Sequence, residues 1–177
     1  MLEQFKIYIK MFKPDIVLIY ELKLDENRSN FFLSFKGYNT YDKPRNQFGG
    51  GVAIVIKSSI SHTQTNEFDD LNLELVSIKI NCKKIGDIQI VTYYNPPSST
   101  LSFELFRRLS FSKLPFILGG DLNASSRMIG CSYDSPTNGP ILENALIELN
   151  VNLINDRTPT RKNNILDLFL CSPSLAS

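Results

Sequence analysis

The stretch FILGGDLNASS, residues 116–126, constrains this chain more than any other: an apolar run halts on two glycines and then presents an aspartate and an asparagine two positions apart. A short apolar run bounded by turn signals is the pattern of a buried strand. Asp121 and Asn123 at i and i+2 share one face if the backbone stays extended, so one can orient a water while the other donates to a developing oxyanion. The alternative is a simple Asx turn closing the strand, to which D-x-N is equally suited.

Elsewhere strand and helix signals mix. LEQFKIYIKMF sets Leu2, Phe5, Ile9 and Phe12 at helical spacing. Lys13-Pro14 ends that helix before DIVLIY, an apolar run expected to form a strand buried on both faces and to deliver Glu21 at its far end. FKGYNTYDK and GVAIVIKSS are predicted as short strands joined by PRNQFGG, and LELVSIKIN and GDIQIVTYYN as a hairpin turning at CKKIG. PSSTLSFELFRRLS carries a serine/threonine cap before an amphipathic helix, a further helix is expected over GPILENALIELN, and NNILDLFLCS reads as the last strand. Mixed strands and helices with at least one antiparallel pair give an α/β (α+β) class. At 177 residues with no repeat or low-complexity segment, residues 1–177 are read as one domain.

Several classes fall away. A net charge of +1 and 42% apolar content argue against a disordered tail or a basic nucleic-acid coat. No apolar run approaches the roughly 18 residues of a membrane helix, and charges interrupt any signal-like core in MLEQFKIYIKMFKPD, so a soluble, non-secreted chain without a membrane partner is expected. Cys82, Cys131 and Cys171 lie far apart with no C-x-x-C pair, the pattern of reduced thiols rather than zinc ligands. The glycines of NQFGGGVAIVIK precede a strand with no Gly-Lys-Ser/Thr after them and are read as a turn. His62, the only histidine, lies in the polar stretch SSISHTQTNEFDD and is expected in a solvated loop, which leaves no serine or cysteine triad to build.

Three acids share one context. Glu21 follows DIVLIY, Asp121 follows FILGG and Asp167 lies within NILDLFL, each at or inside an apolar strand. A carboxylate there is costly unless hydrogen-bonded, paired or metal-bound. Hard oxygen ligands of this kind suit Mg²⁺ or Mn²⁺ with waters and a substrate phosphate. Strand-end acids facing water remain the alternative for each one singly.

Six blocks in order, PDIVLIYELKL, GYNTYDKPRNQFGGGVAIVIKSSI, VTYYNPPSS, FILGGDLNASS, NGPILENAL and TPTRKNNILDLFLCSPS, together span nearly the whole chain. They resemble the endonuclease/exonuclease/phosphatase superfamily, and more closely the apurinic-type endonuclease domain of jockey-like non-LTR retrotransposons. The resemblance implies a deoxyribonuclease I-like, four-layer α/β sandwich of two packed mixed β-sheets flanked by helices. It implies Glu21 as a metal ligand, with Tyr20 standing where the family usually has glutamine. Tyr94 is expected near the scissile phosphate, Asp121 as the group that activates or orients the attacking water, and Asn123 as a stabiliser of phosphoryl charge. Asp167 corresponds to the aspartate that orients a histidine, and Thr160, Arg157 and Arg161 to substrate-binding positions. The family's histidine block and its first, asparagine-bearing strand have no counterpart in the sequence, which implies a partial domain, cut short at both ends and impaired in activity.

The activity so implied is Mg²⁺- or Mn²⁺-dependent nicking of DNA for primed reverse transcription, in a polyprotein that continues into a reverse transcriptase. Its location is then intracellular, and nuclear for an active element. Lys43, Arg45, Arg157, Arg161 and Lys162 are candidate phosphate contacts, with solvated basic loops as the alternative. The stretch from Thr160 to Asp167 is short where many relatives carry a groove-probing hairpin. A catalytically inactive relic or interaction fragment is the competing expectation. A phosphatase of the same fold is a third, disfavoured by the GGGVAI and NGPILENAL blocks.

Overall fold

The computed structural model describes residues 2–25, 32–156, 158–161 and 163–176. Strands β1 (Ile16–Tyr20), β2 (Tyr38–Lys43) and β3 (Val52–Lys57) form an antiparallel sheet in the order β1-β3-β2. A second sheet runs β4-β5-β6-β7-β9-β8, comprising β4 (His62–Thr65), β5 (Glu74–Cys82), β6 (Gly86–Tyr94), β7 (Phe116–Asp121), β8 (Asn152–Leu153) and β9 (Asp167–Cys171). Its β6–β7 pair is parallel and the rest antiparallel, so this sheet is mixed. The helices are α1 (Leu2–Phe12), α2 (Phe103–Phe111) and α3 (Asn138–Glu148).

Alternation of apolar residues builds the layers. Val52, Ile54 and Ile56 of β3 meet Val76, Ile78, Ile88 and Ile90 of β5 and β6 in a core between the two sheets. The opposite face of the larger sheet, with Val91, Phe116 and Leu118, buries Leu105, Phe106 and Leu109 of α2 and Leu142 and Ala145 of α3. The Ser102 hydroxyl caps α2 by accepting from the Leu105 amide at 3.2 Å. The predicted hairpin is present, with β5 and β6 in register from Glu74↔Tyr94 to Cys82↔Gly86.

The two glycines of the opening motif sit at close approaches of different kinds. A methyl group on Gly119 would lie 2.7 Å from Leu18 Cδ1 of β1, across the gap to the other sheet. The Thr92 hydroxyl crosses that gap to donate to the Ile19 carbonyl at 3.3 Å. A methyl group on Gly120 would lie 1.7 Å from the Tyr93 carbonyl oxygen of β6, the neighbouring strand of the same sheet, so a side chain there would push β6 and β7 apart.

Three local expectations are corrected. β1 is half-buried at every position rather than buried on both faces, because it lies at one edge of the smaller sheet among the described residues. In α1, Ile9 is fully buried, but Phe5 is half-buried and Phe12 is 60% exposed, its ring tilted against Tyr8 instead of the core. His62 is not in a loop but opens edge strand β4, pairing opposite Ile80 and approached by the Asn39 amide at 3.2 Å.

Candidate active site

Strand direction gathers the acids. Parallel β6 and β7 deliver Tyr94 and Asp121 to one rim, antiparallel β9 presents its first residue, Asp167, directly opposite Asp121, and β1 ends there at Tyr20. The Tyr94 hydroxyl donates to Glu21 Oε1 at 3.2 Å, which ties the smaller sheet to the larger across the rim. The Tyr20 phenol lies close enough to Asp167 for that carboxylate to raise it. Glu21, Tyr94, Asp121 and Asp167, spread over most of the sequence, therefore converge.

Burial and charge set the protonation states. Asp121 is 8% exposed, and that burial pushes its carboxyl up to about 6, the Asn123 amide opposing and the Asp167 and Glu21 charges reinforcing the shift. Arg161 is the cation that opposes it, which places that side chain within electrostatic reach of the pair. Burial raises Tyr94 to about 12, with the Glu21 and Asp121 charges adding and Arg45 subtracting. Tyr20 rises further still, through burial first and then the negative charge of Asp167 beside it. Both phenols thus stay protonated donors well above neutral pH.

Asn123 does not extend the strand. It adopts φ 45°, and its amide N–H donates to Asp121 Oδ1 at 3.0 Å, which is the Asx turn that was the alternative reading of D-x-N. Its side-chain amide donates to the Asn95 carbonyl at 2.9 Å, so the group is anchored at the rim rather than parallel to Asp121 on an extended backbone. Glu21 is also left-handed, at φ 54°, where a non-glycine residue is strained. Lys23 Nζ lies 3.5 Å from its second oxygen.

The surroundings are specific. Thr160 Oγ1 accepts from the Leu166 and Asp167 amides at 3.0 and 3.2 Å, so this threonine fixes the backbone that presents Asp167. Arg45 pairs with Glu74 at 2.5 Å, lies 5.9 Å from the Tyr94 ring centre, and rests on Gly50, where an added methyl would sit 2.5 Å from its guanidinium carbon. Gly50 and Gly51 have φ of 72° and 82°, confirming the turn reading of the glycine run. Lys43 donates to the Leu73 carbonyl at 2.9 Å. Arg157 and Lys162 lie outside the described residues.

Sequence reasoning missed the residues that brace this rim. Glu74 holds both Arg45 and the Gly51 amide, the latter at 2.8 Å. Asn95 receives the Tyr93 hydroxyl and donates to the Ser99 and Leu122 carbonyls. Asn138 accepts from the Leu101 amide and donates to the Ser99 and Asn123 carbonyls. The signal available was an asparagine beside each motif, in YYNPPSS and NGPILENAL.

Among the described residues no group of three or more His, Cys, Asp or Glu side chains is placed to hold a metal ion. What the rim offers a hard cation is one exposed carboxylate, Glu21, a donor set suited at most to an ion that keeps most of its waters.

Comparison with known proteins agrees with this geometry. The chain is 26% identical over 151 residues to the probable RNA-directed DNA polymerase from transposon BS of Drosophila melanogaster, covering 84% of the chain and 16% of that protein. It is 24% identical over 136 residues to the RNA-directed DNA polymerase from mobile element jockey of Drosophila funebris, covering 73% of the chain and 14% of that protein. The chain thus spans less than a fifth of these curated relatives. In fold it is similar to the endonuclease domain of TRAS1, a telomere-specific non-LTR retrotransposon, with TM-score 0.76, 22% identity, and 99% of this chain and 80% of that one covered. An AP endonuclease from Archaeoglobus fulgidus follows with TM-score 0.67, 18% identity, and coverage of 99% and 82%. The profile of the family described as endonuclease-reverse transcriptase matches residues 88–177, a segment that holds Tyr94, Asp121, Asn123, Thr160 and Asp167. With half the chain matched, a two-sheet sandwich of the same fold and an acidic rim at the expected strand ends, the chain belongs to the endonuclease-reverse transcriptase family.

Proposed function

We propose that this chain is the DNA-nicking module of a retrotransposon polyprotein that also carries a reverse transcriptase, acting by divalent-metal-dependent hydrolysis of a phosphodiester. The observation that carries the reading is the meeting of Glu21, Tyr94, Asp121 and Asp167 at one rim of the sandwich. Glu21 would hold a Mg²⁺ or Mn²⁺ ion through its carboxylate, and such an ion would supply positive charge for the phosphoryl group. Asp121, ionised above about pH 6, accepts a proton from the attacking water. Asn123 and the Tyr94 hydroxyl supply donors toward phosphoryl oxygens, and Arg161, Arg157 and Thr160 contact the strand. A primer end for reverse transcription must be a 3′-hydroxyl, so the bond between phosphorus and O3′ breaks and the phosphate stays on the 5′ side of the downstream strand.

A non-cleaving role is the second reading, favoured by the position of the sole histidine. His62 pairs with Ile80, six residues along β5 from Glu74 at the rim, or about 20 Å at strand rise. Asp167 has the Tyr20 phenol as its neighbour instead. Lack of one preorganised donor costs about 10² to 10³ in rate. Conversion of supercoiled plasmid to open circle in Mg²⁺ separates the readings. Nicking that EDTA, Glu21→Ala and Asp121→Ala each abolish supports the nuclease. Nicking that survives Asp121→Ala refutes it, and absence of nicking at any metal concentration favours the non-cleaving role.

A further inference from the structure

The far end of the smaller sheet carries a cavity of about 720 Å³ lined by Lys6 and Lys10 of α1, Lys13 just after it, Lys36 in the loop before β2, and Lys57 at the end of β3. Three separate segments bring these five lysines together, in a chain whose 19 basic and 18 acidic residues otherwise nearly balance. Among the described residues no acidic side chain lines the cavity, although Lys6 lies 3.4 Å from Glu3 beside it. Lys57 is held by Asp15 at 2.6 Å, while Lys10, Lys13 and Lys36 have no ion pair among the described residues and are exposed. The floor is apolar and aromatic: Ile9 is buried, Phe35 is fixed edge-on against Phe5 at 5.5 Å, and the Tyr38 hydroxyl is anchored on the Pro14 carbonyl at 2.9 Å.

We propose that this cavity binds single-stranded nucleic acid, separately from the acidic rim. Ammonium groups around an aromatic floor are the two elements of single-strand recognition, charge for phosphates and a ring face for an unstacked base. A concave site of this size admits a splayed base and its flanking phosphates but not the width of a duplex. Its position excludes overlap with the rim. Lys57 lies five residues along β3 from Val52, the partner of Tyr20, which sets the two sites about 16 Å apart. A strand held here is therefore anchored while another segment lies at the carboxylates.

The test is fluorescence anisotropy of a labelled dT₁₂ with the whole 177-residue chain in EDTA, so that no cleavage intervenes and the result is independent of the nuclease reading. Lys10→Glu/Lys13→Glu/Lys36→Glu is expected to weaken binding at least tenfold with an unchanged circular dichroism melt. Losing three phosphate contacts should also flatten the slope of log K against log salt by about 2. Lys113→Glu, a reversal of an exposed charge in the loop between α2 and β7 that lines neither site, is expected to leave dT₁₂ affinity within twofold. Unchanged binding by the triple variant overturns the proposal. So does an equal loss of binding in Lys113→Glu, or displacement of dT₁₂ by polyglutamate as effectively as by unlabelled dT₁₂.

Discussion

Asp121→Asn is expected to stabilise the protein, and by an amount that depends on pH. The Asp121 carboxyl titrates at about 6 in the folded chain against an ordinary value of 3.8, a difference of about 2.2 units, or about 3 kcal/mol at 1.36 kcal/mol per unit. A carboxyl whose folded value is raised holds its proton more tightly folded than unfolded. Its contribution is therefore fully present below pH 3.8, declines as pH rises through 6, and is lost above it. Asparagine keeps the acceptor for the Asn123 amide but carries no charge to be buried beside Asp167. The variant should gain about 3 kcal/mol at pH 8 and about half that at pH 5, where the wild-type carboxyl is mostly protonated when folded. For a chain of this size that is a melting shift of roughly 6–12 °C at pH 8. Thermal melts by circular dichroism at the two pH values, in EDTA, provide the measurement. A variant no more stable than wild type at pH 8, or one with an equal gain at both pH values, would refute the argument that burial and neighbouring charge raise this group.

Two further substitutions probe the scaffold. Gly120→Ala places a methyl group 1.7 Å from the Tyr93 carbonyl oxygen, a backbone atom that cannot rotate away. The expected loss is at least about 2 kcal/mol in urea unfolding, and a wild-type midpoint would show that the β6 and β7 backbones can move apart at this point without cost. Asn138→Ala removes three hydrogen bonds and strands the buried Leu101 amide, for an expected loss of about 2–3 kcal/mol by the same measurement. A change below about 0.5 kcal/mol would mean that this asparagine does not brace the Asn123 turn.

The elements most legible in the sequence are those whose stability is local or whose burial is symmetrical. The CKKIG turn and the alternation on either side of it specified the β5–β6 hairpin, and Ser102 announced α2. β1 misled because an apolar run has the same appearance at a sheet edge as at its centre, and position within a sheet is a tertiary fact. β4 was hidden because HTQT has no apolar period, and its strand form comes from backbone pairing with β5. The acids of the rim were visible as carboxylates at strand ends. Their braces were not, since Arg45 and Glu74 are 29 positions apart and only the folded sheets bring them into contact. Nor did D-x-N alone distinguish an extended pair from the Asx turn that forms.

The left-handed backbone at Glu21 sets two demands against each other. At φ 54° a side chain of this kind costs roughly 1–2 kcal/mol that glycine would not incur. The Tyr94 hydroxyl and the Lys23 ammonium return part of that cost through the carboxylate they approach. A change to glycine would relax the backbone but cut the tie between the two sheets, so backbone ease and the cross-rim bond pull this position in opposite directions. An asparagine, which tolerates the left-handed conformation better and still carries an acceptor for Tyr94, is the replacement that would lose least in folding while removing the charge.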